Sequence, residues 1–120
     1  MFNYSLTYTD LYQLSMAQVY FLKGKADEKA VFDYYFRKIP YQGGYAIFAG
    51  LQDFLKQLEQ LSFSEEDLDY LKTQDFEDSF LQYLRNFRFK GNIRACREGE
   101  VVFSTAPILQ VEASLIEAQL

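Results

Sequence analysis

Twelve Phe and ten Tyr within 120 residues set the strongest constraint on what this chain can become. A domain of this size has a high ratio of surface to volume and little interior, so that many rings are hard to enclose. The sequence therefore predicts aromatic side chains facing a partner subunit, a following domain or a ligand. The segment 11–22 shows the problem locally. On a helical wheel Leu11, Leu14, Phe21 and Leu22 lie on one side, and Tyr12, Met16 and Tyr20 lie towards the other. A helix apolar all round requires burial on several sides, and one small sheet cannot supply that.

The rest of the chain switches between helical and strand periods, which predicts an α+β fold. Thr9 is the expected N-cap of the first helix, with Asp10 in its first turn and Lys23-Gly24 ending it. Residues 28–38 read as a strand, with Phe32, Tyr34 and Phe36 on one face and Val31, Asp33, Tyr35 and Arg37 on the other. Pro40 and Gly43-Gly44 punctuate a loop before a short strand at 45–49. An amphipathic helix follows, with Leu51, Phe54, Leu55, Leu58 and Leu61 as a core stripe. Ser64-Glu65-Glu66-Asp67 reads as a capping sequence, and a further stripe runs through Phe76, Phe80, Tyr83, Leu84 and Phe87. Strands at 93–96 and 101–103 flank the turn at 97–100, a hairpin pattern, and another strand is expected at 107–112. Residues 115–120 look like a helix just starting and lack the polar, frayed end usual for a terminus. The pattern suggests a partial chain.

Composition removes several functional classes. The net charge is −5 and no stretch is strongly basic, so a nucleic-acid backbone is not an expected partner. No apolar run approaches a membrane span, no basic n-region of a signal peptide precedes Lys23, and Cys96 stands alone, so a cytoplasmic protein is expected. Cys96 itself reads as an inert strand residue. There is no histidine, which removes His-based nucleophiles, bases and zinc sites from these residues. No pair of carboxylates is convincingly spaced for acid–base work, and no metal site is expected. Gly43-Gly44 fits neither a phosphate loop nor a dinucleotide fingerprint and reads as a turn.

Several ordered motifs carry a resemblance. The run Thr9-Asp10-Leu11-Tyr12-Gln13-Leu14-Ser15-Met16-Ala17 closely resembles the opening motif of nicotinate phosphoribosyltransferases. So does Ala30-Val31-Phe32-Asp33-Tyr34-Tyr35-Phe36-Arg37-Lys38, followed by Pro40, Gly43-Gly44 and the run from Tyr45 to Leu51. Phe80-Leu81-Gln82-Tyr83-Leu84, Glu98-Gly99-Glu100-Val101-Val102-Phe103 and Pro107-Ile108-Leu109-Gln110-Val111-Glu112 fit the same family in the same order. Departures are Cys96-Arg97, where a small apolar residue and Pro are commoner, and Ala113-Ser114 in place of Gly-Pro. The resemblance implies that residues 1–120 form the amino-terminal α/β domain, similar to the hammerhead-like domain of nicotinate and quinolinate phosphoribosyltransferases. It also implies that the chain ends at the start of a helix leading into an α/β barrel it does not itself contain.

The activity implied is ATP-assisted joining of nicotinate to phosphoribosyl pyrophosphate, giving nicotinate mononucleotide on the route to NAD. ATP and Mg2+ are expected for the full-length enzyme and not for these residues alone. The phosphorylated histidine of the family lies in its barrel, so no catalytic residue is expected here. A homodimer is implied, with Tyr12 stacking on the pyridine ring in the partner subunit's site. Asp10 is implied to orient the ring's polar edge or a basic group, and Arg37 to face phosphates at the subunit boundary. The plainer readings are a core-packed Tyr12, an Asp10 that only favours the helix N-terminus, and an Arg37 on open surface or paired with Asp33. The alternative for the whole chain is a non-enzymatic binding or oligomerisation module with an aromatic interface.

Overall fold

A computed structural model describes residues 4–120. Its elements run α1 Leu11–Leu22, β1 Lys29–Tyr34, a 3-10 turn Pro40–Gln42, β2 Ala46–Ile47, α2 Leu51–Gln60, α3 Glu65–Lys72, α4 Asp78–Arg85, β3 Asn92–Ala95, β4 Val101–Val102, β5 Leu109–Ser114 and α5 Leu115–Gln119. Helices and antiparallel strands are segregated, the α+β class expected from the changes of period. A three-stranded sheet has the order β1-β5-β3, and β2 pairs with β4 as a separate two-stranded ribbon.

The core is helical. Leu14 and Ala17 of α1 pack with Leu68, Leu71, Phe80, Leu84 and Ile116 of α3, α4 and α5. Phe80, Leu14, Leu71, Leu84 and Ile116 are fully enclosed, each contributing about 1.5–3 kcal/mol by leaving water. Phe21 of α1 meets Phe80 and Tyr83 with ring centroids 5.6 and 5.0 Å apart. Burial, reinforced by the negative charges of Asp27 and Glu117, pushes the Tyr83 phenol up. The side chain of Gln18 accepts the Glu77 N–H at 2.8 Å and so caps α4 from α1. α3 begins with the expected capping box, Ser64 accepting from Asp67 N–H and Asp67 accepting from Ser64 N–H at 2.8 Å.

Several elements depart from their sequence reading. α1 is capped at Asp10, not Thr9, because the first helical bond runs from Gln13 N–H to the Asp10 carbonyl. β1 stops at Tyr34 rather than at 38. Tyr34 pairs with Leu109, but beyond it the register slips, with Ile108 N–H on the Tyr34 carbonyl and Thr105 N–H on the Phe36 carbonyl, and Pro107 between them has no N–H to give. β5 is correspondingly displaced, to Leu109–Ser114 from 107–112. The turn at 97–100 does not join a hairpin. β3 pairs with β5 and β4 with β2, because Gly99, at φ 84°, turns the chain onto Phe48 through two backbone bonds.

The α2 stripe is not core. No α2 residue is buried, and Phe54 and Leu55 are 41% and 38% exposed. The helix instead stands across an open cleft of about 580 Å³ from the apolar sheet face, where Phe32, Ile93 and Val111 share the lining with Phe54 and Leu58. Its N-terminus is held at a distance in sequence, since the Glu98 carboxylate accepts from Gly50 and Gln52 N–H at 3.1 and 3.2 Å.

Candidate functional site

Two features compete for the site: the open cleft and the outward side of α1. The cleft is lined mostly by apolar side chains, and among the described residues the charged ones lining it are Asp33 and Glu117. Two carboxylates with no cation beside them in that lining disfavour an anion such as a pyridine carboxylate or a phosphate. Asp10, Tyr12 and Arg37 do not line it.

α1 presents a different surface. Its inner side, Leu14 and Ala17, is locked in the core, while Leu11, Tyr12, Met16, Val19 and Leu22 are exposed. Spacings of four, three and three residues run Tyr12, Met16, Val19 and Leu22 in a strip that winds from the Tyr12 side of the helix towards the Leu11 side. Tyr12 is 58% exposed, so the plain reading of a ring packed in its own core does not hold. The reason lies in the wheel: α1 is apolar all round, and the helical core covers only one side of it. The Tyr12 hydroxyl accepts from Gln13 Nε2 at 3.0 Å. Gln13 Oε1 in turn accepts from Gln119 Nε2, a side chain of α5 placed 106 residues later.

Asp10 sits at the N-cap of α1, exposed, with no side-chain capping bond. Its charge lies beside the positive end of the helix, worth about 0.3–1 kcal/mol. Arg37 follows the end of β1 and is exposed. The alternative pairing with Asp33 is not formed, since Asp33 accepts from Gln110 Nε2 at 2.9 Å. Among the described residues the ion pairs are Lys25–Glu28, Lys72–Asp78 and Arg85–Glu65, and Arg37 is in none of them. Its guanidinium is therefore available for an anion. Among the described residues no hydrogen bond or ion pair joins Asp10, Tyr12 and Arg37 to one another.

The approach to α1 carries a buried charge that sequence reasoning did not single out. Asp67 is enclosed and accepts from the hydroxyls of Ser5 and Thr7 as well as from Ser64 N–H. Burial pushes its carboxyl up, but these hydrogen bonds favour the charged form more strongly and hold it below its ordinary range. The Ser64–Asp67 spacing was a visible capping signal; the link to Ser5 and Thr7, some sixty residues away, was not. Among the described residues no group of three or more Cys, Asp or Glu is placed to hold a metal ion, and no helix is long and apolar enough to cross a membrane.

Comparisons with known proteins agree with the motif reading. The family described as nicotinate phosphoribosyltransferase (NAPRTase) N-terminal domain matches residues 7–120. The nicotinate phosphoribosyltransferase of Bacillus subtilis is 44% identical over 114 residues, covering 94% of this chain and 23% of that protein. The one from Caenorhabditis elegans is 40% identical over 116 residues, covering 93% of this chain and 21% of that protein. The crystal structure of human nicotinic acid phosphoribosyltransferase superposes with a TM-score of 0.81 at 34% identity, over 92% of this chain and 23% of the human one. The chain thus spans about a quarter of the length of these relatives. Their names do not favour a non-enzymatic module.

Proposed function

We propose a function for this chain from one premise: it belongs to the nicotinate phosphoribosyltransferase N-terminal domain family. It serves as the amino-terminal α/β domain of an enzyme that joins nicotinate to phosphoribosyl pyrophosphate. ATP hydrolysis assists the step, and nicotinate mononucleotide and pyrophosphate are released on the route to NAD. α5 leads into the barrel that carries the chemistry. ATP and Mg2+ are assigned to the rest of the enzyme, and no step here is routed through them.

The contribution of this domain is positional. Displacement at the ribose anomeric carbon passes through a loose, cationic transition state, and the pyridine nitrogen has to be held in line with the breaking bond. The face of Tyr12 fixes the plane of the ring while leaving freedom along the line of attack. Arg37 meets phosphate oxygens of the second substrate, for which a planar guanidinium is well shaped. Asp10 orients the polar edge of the pyridine or a basic group beside it. The outward strip of α1 seats against a second subunit in a cytoplasmic homodimer, which carries Tyr12 into that subunit's barrel.

The observation that supports this most is the exposed Tyr12 ring on an apolar strip of a helix whose Leu14 and Ala17 are buried in the core on the other side. The test is Tyr12→Ala in the full-length polypeptide. Loss of the stack is expected to lower kcat/KM for nicotinate about ten- to a hundredfold, against little change in thermal unfolding. Unchanged kinetics with nicotinate remove Tyr12 from the site.

A further inference from the structure

If Tyr12 clamps a flat substrate, something must hold its ring, because an exposed Tyr on a helix is free to change χ1 at little cost. The structure provides a hold that the motif itself does not reveal. Gln13 is half-buried at the neighbouring position, and its amide bridges two partners. The amide nitrogen donates to the Tyr12 hydroxyl at 3.0 Å, and the amide oxygen accepts from the side-chain nitrogen of Gln119. Gln119 belongs to α5, whose Ile116 is fully enclosed and whose first turn is fixed by the Ser114–Glu117 capping box. The relay thus ties a mobile phenol to a rigid element.

We propose that Gln13, fixed from α5 by Gln119, is a positioning residue that holds the Tyr12 ring in its substrate-facing rotamer. This rests on the reading of Tyr12 as the stacking residue. The polarity of the relay has a consequence. With Gln13 Oε1 turned to Gln119, its Nε2 faces the phenol, so the phenol oxygen accepts and its own O–H remains free to donate outward. A Glu at position 13 can accept from both Gln119 and the phenol O–H, and so preserves the hold while reversing its sense. A Leu of similar size cannot hold it at all.

The experiment uses the full-length polypeptide that carries this domain, with fluorotyrosine at position 12 as a reporter of ring order and steady-state kinetics as the second readout. Gln13→Leu is expected to sharpen the fluorine line as the ring gains motion. It is also expected to raise KM for nicotinate about three- to tenfold, the weight of one hydrogen bond, with KM for phosphoribosyl pyrophosphate unchanged. Gln119→Leu should do the same, Gln13→Glu should restore both readouts, and Gln13→Leu should add nothing to Tyr12→Phe. A fluorine line unchanged in Gln13→Leu, or a Glu variant as impaired as the Leu variant, overturns the proposal. The two ideas fail separately. A silent Gln13→Leu beside a damaging Tyr12→Ala sinks the relay and leaves the stack. A mobile ring in Gln13→Leu beside a harmless Tyr12→Ala leaves the relay and sinks the stack.

Discussion

Asp67→Ala is expected to be among the more damaging single changes in this domain. The wild-type carboxylate accepts three hydrogen bonds from protein groups, the Ser5 hydroxyl, the Thr7 hydroxyl at 3.1 Å and the Ser64 N–H at 2.8 Å. Bonds to a charged acceptor are worth about 1.5–3 kcal/mol each where no water can replace them. Ser5 and Thr7 lie at the surface and are rehydrated when the acceptor is removed, which leaves roughly 0.5–1 kcal/mol apiece. The lost half of the capping box adds about 1 kcal/mol. The sum is about 2–3 kcal/mol, and at roughly 3–5 °C per kcal/mol for a chain of this length the midpoint falls by about 6–15 °C. Denaturant unfolding at neutral pH measures it. The sign with pH follows from the direction of the shift. The folded Asp67 carboxyl lies below its unfolded value, so its contribution is present above the unfolded value and is lost as pH falls through the folded one. The wild type and Asp67→Asn should therefore converge in acid. A neutral-pH difference under about 0.5 kcal/mol between Asp67→Ala and wild type, the range of an ordinary surface change, refutes the reasoning.

Gly91→Ala should destabilise by about 1–3 kcal/mol through overpacking, because the added carbon would lie 2.4 Å from Ala113 Cβ and 2.8 Å from the Glu112 carbonyl oxygen. Ala113→Gly should recover part of this in chemical denaturation, and a neutral Gly91→Ala contradicts the close approach of β3 to β5. Glu98→Ala should cost about 0.5–2 kcal/mol as a lost helix cap. It should also speed hydrogen exchange at the Gly50 and Gln52 amides, which the carboxylate now holds, and unchanged protection there counts against the cap.

Where a segment's own residues decide its structure, the sequence announced it. The helical stripes of α3 and α4 with Phe76, Phe80 and Leu84, the end of α1 at Lys23-Gly24 and the Ser64–Asp67 box all follow from local spacing, and each is found. Pairing between distant strands was not announced. Nothing in residues 93–103 says that β4 will leave β3 for β2, since that choice is made by Glu98 and Gly99 meeting Phe48 and Gly50. The α2 stripe stays open for a related reason: amphipathy shows that a face needs cover, not that these residues supply it. The excess of aromatic rings was the better guide, and Tyr12 is one of the rings left outside. Asp10, Tyr12 and Arg37 could be chosen only by resemblance, because an exposed Asp, Tyr or Arg carries no periodic signal. Gln13 and Gln119 could not be chosen at all, being joined by the fold across 106 residues.

A photo-reactive benzoylphenylalanine at position 12 of the full-length polypeptide asks most directly where this ring points during turnover. A substrate clamp reaching across a subunit boundary predicts an adduct between two chains, and nicotinate should suppress it by occupying the gap. An adduct confined to residues 4–120 of the same chain, with a yield indifferent to nicotinate, contradicts that placement.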